Sequence, residues 1–120
     1  MKTILIADDS DSVRELICFT LENAGYKVLS GIDGEDALKH LNGTQIDLVL
    51  TDLHMPKLDG IGLIKEIRSK EQYQFIPIIF LTTESQAEKK EEAKAAGATG
   101  WIVKPFAPER LLATISKVIR

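Results

Sequence analysis

The chain has 120 residues, of which 44% are hydrophobic and 28% charged, and its formal net charge at pH 7 is -3. This size predicts a single domain over residues 1–120, with one core and no appended output domain. The mild charge is spread along the sequence, which excludes the basic patch of a nucleic-acid or membrane-surface binder, so neither kind of partner is predicted.

The first half of the chain predicts three strands separated by two helices. Apolar residues at helical spacing follow the first apolar run, and Ser12 and Glu15 fit a capping box at the start of that helix. Asp33 opens the second helix as a cap, and Asn42 with Gly43 closes it. The predicted elements are a strand at 4–7, a helix at 13–24, a strand at 26–30, a helix at 33–41 and a strand at 46–51.

The second half continues the same alternation of helices and strands. Asp59 can cap the third helix, and Pro108 suits the first turn of the fifth. Ser85 and Glu88 give the fourth helix a capping-box match. The predicted elements are a helix at 59–67, a strand at 78–81, a helix at 85–97, a strand at 100–103 and a helix from 108 onward. Five strands alternating with five helices indicate an α/β domain with a mostly parallel sheet.

Four of the apolar runs end in polar side chains. Two carboxylates follow the first run, and single polar groups follow the third, fourth and fifth; these residues are Asp8, Asp9, Asp52, Thr82 and Lys104. Because the carboxyl ends of parallel strands share one edge of a sheet, we expect these groups to form one site. Two carboxylates about 4 Å apart repel by roughly 4 kcal/mol at an effective dielectric near 20. The three acids therefore call for a positive charge beyond that of the lysine, and Mg²⁺ is the predicted cofactor.

The predicted site suits phosphoryl transfer to a carboxylate. Asp9 and Asp52 are expected to ligate Mg²⁺ directly, and Asp8 through water. Asp52 then keeps an oxygen free to act as nucleophile, and its product would be a labile acyl phosphate. Lys104 is expected to pair with one phosphoryl oxygen, and the Thr82 hydroxyl to donate a hydrogen bond to another.

Several motifs together resemble the receiver domain of two-component response regulators. They are Asp8-Asp9, the Asp-Leu-His-Met-Pro-Lys-Leu-Asp-Gly segment at 52–60, Thr82, and the Gly-Ala-Thr-Gly-Trp-Ile-Val-Lys-Pro-Phe segment at 97–106. The resemblance covers essentially the whole chain and is greatest to stand-alone, CheY-like chemotaxis regulators. It implies a flavodoxin-like sheet of strand order 2-1-3-4-5 with helices on both faces. It also implies that the His54 backbone carbonyl helps to hold Mg²⁺, and that the bond between Lys104 and Pro105 is cis.

The same resemblance implies a switch beside the phosphorylation site. Trp101 stands where receivers carry a Tyr or Phe that turns inward when the counterpart of Thr82 moves toward the phosphate. His54 and Glu84 occupy positions that tune the rates of phosphorylation and dephosphorylation. Thr83 departs from the usual Ala and is expected to narrow access to the site. The surface near Trp101, together with the fourth and fifth helices, is expected to bind the target.

The resemblance also implies the partners. The phosphodonor would be a CheA-like histidine kinase, the target a flagellar motor switch protein, and a phosphatase is a further possible partner. The protein is expected to be a monomer and not a turnover enzyme. It is also expected to be cytoplasmic, because the single cysteine, Cys18, forms no internal disulfide and no segment is apolar for long enough to span a bilayer.

Other functions stay open at this point. A single-domain phosphorelay intermediate outside chemotaxis would carry the same residues. A Mg²⁺-dependent phosphohydrolase of the haloacid-dehalogenase type also uses a strand-end Asp, a Thr and a Lys, but its nucleophile follows the first strand. A module that signals without phosphate would not need the intact acid set. A flavin or dinucleotide binder is disfavoured, because no Gly-x-Gly-x-x-Gly loop follows a strand.

Overall fold

Five short parallel strands form a single sheet. They are β1 (Thr3–Ala7), β2 (Lys27–Gly31), β3 (Leu48–Asp52), β4 (Ile78–Thr82) and β5 (Gly100–Val103). The computed structural model describes residues 1–83 and 87–119. The strand order is β2-β1-β3-β4-β5, and every neighbouring pair is parallel. This confirms the predicted α/β fold and its order. The third strand runs to Asp52 rather than to residue 51, because Asp52 pairs with Leu81 of β4.

Helices cover both faces of the sheet. They are α1 (Asp11–Asn23), α2 (Gly34–Leu38), α3 (Gly60–Ser69), α4 (Ala87–Ala96) and α5 (Pro108–Val118), with a short 3-10 helix at Glu71–Tyr73. One hydrophobic cluster joins the sheet to α1 and α5, and the other joins it to α2, α3 and α4. Within the described part of the chain, no helix is both long enough and apolar enough to cross a membrane.

The helix starts and ends differ in part from their predictions. Asp33 and Asp59 cap α2 and α3 as predicted, through side-chain oxygens that accept backbone amides at 2.8 Å. The cap of α1 is Ser10 rather than Ser12, because the Ser10 hydroxyl accepts the Val13 amide. For α4, the predicted cap Ser85 lies outside the described residues.

The second helix is shorter than predicted and ends well before Asn42. After Leu38 the backbone amides of Lys39, His40 and Leu41 each donate to the carbonyl three residues earlier. Such bonds tighten the chain into 3-10-type turns instead of continuing the α-helical pattern. The helical spacing of the apolar residues therefore predicted α2 correctly up to residue 38, whereas residues 39–41 form turns.

The partly buried guanidinium of Arg68 fixes the amino-terminal edge of the sheet beside β4 and β5. Arg68, in the last turn of α3, donates through Nη1 to the carbonyls of Gln74 and Ile76 at 3.0 and 2.7 Å. Its Nε and Nη2 donate to the carbonyl of Gly97 at 3.0 and 2.7 Å. Arg68 therefore joins three chain segments, the end of α3, the approach to β4 and the turn before β5.

A glycine allows α3 to start directly against the end of β3. The Gly60 amide donates to the carbonyl of Leu53 at 3.0 Å. A Cβ atom at Gly60 would lie 2.1 Å from the carbonyl oxygen of Asp52 and 2.8 Å from the Leu53 Cα. Backbone atoms cannot move aside as a flexible side chain can, so the contact requires a residue without a Cβ.

We expect Gly60→Ala to lower the free energy of unfolding by about 3 kcal/mol, because the added methyl overlaps backbone. The matched control is Gly100→Ala, where an added Cβ meets nothing within 4 Å. Urea denaturation of both variants checks the prediction. Equal stability of the two variants would contradict the close approach of α3 to β3.

Candidate functional site

The carboxyl ends of β1, β3, β4 and β5 meet as the sequence predicts. The Nζ atom of Lys104, just after β5, lies 3.1 Å from Oδ2 of Asp52, at the end of β3. The same Nζ lies 3.4 Å from Oδ2 of Asp8, just after β1. Thr82, the last residue of β4, is fully buried at the same edge. The parallel sheet thus brings together groups that are 96 positions apart in the sequence.

Three carboxylates converge around this lysine. Asp8, Asp9 and Asp52 each offer an oxygen, and these oxygens all lie within 4.8 Å of one another. Asp8 is 1% exposed and Asp52 9%, whereas Asp9 is exposed to solvent. Mg²⁺ prefers hard oxygen ligands and keeps several of its own waters. The cluster offers carboxylate oxygens, and the exposed side chain of Asp9 is accessible to water. The residues present therefore fit this ion.

The loop that carries Asp8 and Asp9 is held by a network of hydrogen bonds. Asp8 Oδ1 accepts the Ser10 amide at 2.9 Å, and the Asp8 amide donates to the carbonyl of Gly31 at 3.2 Å. The guanidinium of Arg14 donates to the backbone carbonyl of Asp8 at 2.8 Å and pairs with Asp11. The sequence analysis missed Arg14. Its only signal was a cation in the first turns of the helix that follows the acids.

The Asp52 carboxylate has a defined orientation. Its Oδ1 accepts the Leu53 amide at 2.8 Å, and its Oδ2 faces Lys104. The Thr51 hydroxyl donates to the Asp52 carbonyl at 2.9 Å. One oxygen is therefore fixed by the backbone, and the other points to the place where the ammonium group and the neighbouring acids meet.

Burial raises the pKa of Asp8 above its ordinary value of 3.8. The Ser10 amide and the Lys104 ammonium favour the charged form and lower this pKa, while the nearby Asp52 carboxylate raises it further. Loss of hydration is the largest of these effects. Without a bound cation, the ionised Asp8 side chain therefore destabilises the folded protein.

The ends of β4 and β5 are joined through their backbones. The Lys104 amide donates to the carbonyl of Thr82 at 2.6 Å, and the Thr82 hydroxyl donates to the carbonyl of Thr83 at 3.2 Å. The peptide bond between Lys104 and Pro105 is cis. The hydroxyl and the ammonium predicted to contact a phosphoryl group are thus held on adjacent strand ends.

Of the remaining predicted residues, His54 and Trp101 are described by the structure and lie outside the acidic cluster. His54 follows Asp52 by two positions and its side chain is exposed, whereas Glu84 lies outside the described residues. Trp101 is 39% exposed on β5, and its ring stacks on Phe80 of β4 with centroids 6.2 Å apart. Its position is therefore on the surface that β5 shares with α4.

A family model and curated relatives match the chain over nearly its whole length. The model for the response regulator receiver domain matches residues 4–116. The alkaline phosphatase synthesis transcriptional regulatory protein PhoP of Bacillus subtilis is 36% identical over 119 residues, covering 99% of this chain and 49% of that protein. The phosphate regulon transcriptional regulatory protein PhoB of Escherichia coli is 34% identical, with coverage of 99% and 52%. The chain spans about half the length of the curated relatives it matches.

Solved structures match both the fold and the extent of the chain. The chemotaxis response regulator CheY4 of Vibrio cholerae is 45% identical, with a TM-score of 0.94 and coverage of 99% of both chains. The receiver domain of a sensor histidine kinase from Pseudomonas aeruginosa is 29% identical, with a TM-score of 0.90 and coverage of 98% and 96%. That structure holds a magnesium ion coordinated in its active site cleft.

We expect Asp8→Asn to raise the free energy of unfolding by roughly 1 kcal/mol at neutral pH without divalent cations, because it removes a buried charge beside other carboxylates. Since the folded-state pKa of Asp8 exceeds its ordinary value of 3.8, the penalty grows as pH rises through that pKa and vanishes below 3.8. Urea denaturation in EDTA across this pH range measures the difference. The control is Asp59→Asn, which keeps a capping oxygen in an exposed position. Destabilisation by Asp8→Asn at neutral pH would contradict the prediction.

Mg²⁺ should stabilise the folded protein, since the acidic cluster forms only on folding. A concentration ten times the dissociation constant adds about 1.4 kcal/mol to the free energy of unfolding. Asp9→Asn and Asp52→Asn should lose this gain, whereas Asp11→Asn, altered in an exposed partner of Arg14, should keep it. Calorimetry at constant ionic strength gives the shift in Tm. A gain that survives in Asp9→Asn and Asp52→Asn would rule out the cluster as the binding site.

Proposed function

Because this chain belongs to the family of response regulator receiver domains, we propose that it is a phosphorylation-activated signalling switch in which Asp52 is the phosphoacceptor. Receiver domains take phosphoryl groups from histidine kinases and bind Mg²⁺ in an acidic pocket. The observation that carries the proposal is the position of Lys104 Nζ, 3.1 Å from Asp52 and 3.4 Å from Asp8. A carboxylate nucleophile and a phosphate-binding cation thus stand side by side.

The acidic cluster prepares Asp52 for transfer. Asp9 and Asp52 would hold the ion directly, Asp8 through water, and His54 through its backbone carbonyl. Bound Mg²⁺ neutralises charge on the phosphoryl oxygens. A carboxylate oxygen of Asp52 forms a bond to phosphorus while the bond from phosphorus to the donor's histidine nitrogen breaks, and the released imidazole takes up a proton. The product is an acyl phosphate on Asp52.

Phosphorylation replaces the contacts that Lys104 and Thr82 make in the unphosphorylated protein. The ammonium of Lys104 transfers from the carboxylates to a phosphoryl oxygen, and the Thr82 hydroxyl turns from the Thr83 carbonyl to another. Two charge-assisted hydrogen bonds contribute about 3 to 6 kcal/mol. Shifting a two-state element from 1:99 to 99:1 takes about 5.5 kcal/mol. These bonds supply most of the shift, and binding of the target supplies the rest.

The switch is read out on the surface around Trp101. When Thr82 moves toward the phosphate, the Trp101 side chain turns inward and changes the face formed by α4, β5 and α5. The stacking of Trp101 on Phe80 supports this coupling, since Phe80 lies two residues before Thr82 on β4. The exposed side chain of His54 would tune access of phosphodonors and water to Asp52, and Glu84 is proposed for the same role.

The similarity to a chemotaxis regulator favours a chemotaxis pathway. CheY4 of Vibrio cholerae is 45% identical to this chain, whereas the transcriptional regulator PhoP of Bacillus subtilis is 36% identical. We therefore assign a CheA-like histidine kinase as phosphodonor and a flagellar motor switch protein as target. In this assignment residues 1–120 form one receiver domain.

Incubation with acetyl phosphate and Mg²⁺ should add about 80 Da, one phosphoryl group, to the intact protein. Asp52→Asn should lose the adduct completely because it lacks the nucleophilic oxygen. Asp59→Asn, which changes a neighbouring carboxylate at the cap of α3, should keep it. Mass spectrometry of the three proteins, before and after EDTA, measures the result. An adduct on Asp52→Asn would exclude Asp52 as the acceptor, and continuous release of phosphate by Asp52→Asn would favour a hydrolase with another nucleophile.

A further inference from the structure

Two lysine side chains of α4 lie over the ring of Trp101. The Nζ atom of Lys90 is 4.9 Å from the ring centroid, and that of Lys94 is 4.6 Å away. Both distances fall within the range of about 6 Å in which an ammonium group is attracted to the electron-rich face of an indole. Lys90 and Lys94 are four residues apart, so they project from the same side of the helix.

Few other contacts in the described residues hold this part of α4 against β5. Of the α4 side chains that the structure describes, Ala93 is fully buried, and the partly buried Ala96 packs against the same core. The ion pairs of α4, Lys89 with Glu92 and Lys94 with Glu91, lie within the helix at 3.9 Å and are largely exposed. Such pairs contribute little to stability. The two ammonium groups over Trp101 are therefore a main link between α4 and β5.

We infer that Lys90 and Lys94 are positioning residues that stabilise the outward orientation of Trp101 and so oppose the switch. The inference rests on the proposed function, which couples an inward orientation of Trp101 to phosphorylation of Asp52. We call the pair the lysine clamp. Its contacts exist while the indole lies outside, against α4, and they are lost when the indole turns inward.

The lysine clamp should set the ligand concentration at which half of the protein responds. A contact made only in the outward state lowers the apparent affinity for any ligand that binds the inward state, by the same factor by which it shifts the equilibrium. Two exposed cation–π contacts correspond to a shift of about 5- to 30-fold. Removing both charges should lower the ligand concentration at half-response by that factor.

Charge and side-chain packing can be separated by matched variants. Lys90→Met with Lys94→Met keeps the apolar stems and removes both ammonium groups. Lys90→Arg with Lys94→Arg keeps a cation over the indole and should behave like the parent. Lys89→Met is the control, since Lys89 pairs with Glu92 and is not placed over Trp101.

The experiment titrates beryllofluoride, a phosphoryl mimic, at saturating Mg²⁺ and follows Trp101 emission. Trp101 is the only tryptophan of the chain. The titration midpoint, rather than the intensity, is compared, because removal of a nearby charge alters emission directly. We expect a midpoint about 5- to 30-fold lower in the double Met variant and an unchanged midpoint in the Arg and Lys89 variants. An unchanged midpoint in the double Met variant, or an equal shift in the Arg variant, would overturn the clamp.

A second measurement without beryllofluoride separates the clamp from the proposed function. The bimolecular constant for acrylamide quenching of Trp101 should fall in the double Met variant, because the inward share rises. If quenching falls while no protein responds to beryllofluoride, the clamp is supported and the proposed function is overturned. If the parent responds but neither the midpoint nor the quenching changes in the variant, the clamp is overturned and the proposed function stands.

Discussion

The properties of the site follow from one electrostatic constraint, the convergence of three carboxylates on a single ammonium group. Asp8, Asp9 and Asp52 bring their oxygens within 4.8 Å of one another, and Lys104 compensates only part of their charge. Burial raises the pKa of Asp8 and the neighbouring Asp52 carboxylate adds to this effect, while the uncompensated charge explains the fit to Mg²⁺. It also explains why a phosphoryl group with further negative charge needs the ion and must attract Lys104 away from its present partners.

The parallel sheet converts this local constraint into a signal at a distance. Thr82 and Lys104 are joined by a backbone hydrogen bond. Thr82 ends the strand that carries Phe80, and Lys104 directly follows the strand that carries Trp101. A displacement at the carboxyl ends of β4 and β5 therefore reaches the aromatic pair within two or three residues. The cations of α4 also lie over the indole, so Trp101 contacts both the strand that ends at the site and the surface of α4.

The sequence was sufficient for the fold and for the members of the acidic cluster, because apolar runs that end in polar residues specify both a parallel sheet and the side chains at its edge. It was insufficient where two local choices were nearly equivalent. Ser10 and Ser12 both offer a capping hydroxyl, and packing of the loop after β1 selects Ser10. The role of Arg14 and the contacts between Trp101 and α4 arise only in three dimensions, since neither motif nor helical spacing records which surface side chains meet.

The anchor formed by Arg68 has a consequence for where the molecule can deform. Its partners are the backbone carbonyls of Gln74, Ile76 and Gly97, which carry no net charge. Phosphorylation of Asp52 therefore changes no charge at this contact. The contact lies at the opposite end of β4 and β5 from the acids. Arg68 thus holds the amino-terminal ends of these two strands in place. Rearrangement is confined to their carboxyl-terminal ends, where phosphorylation changes the charge.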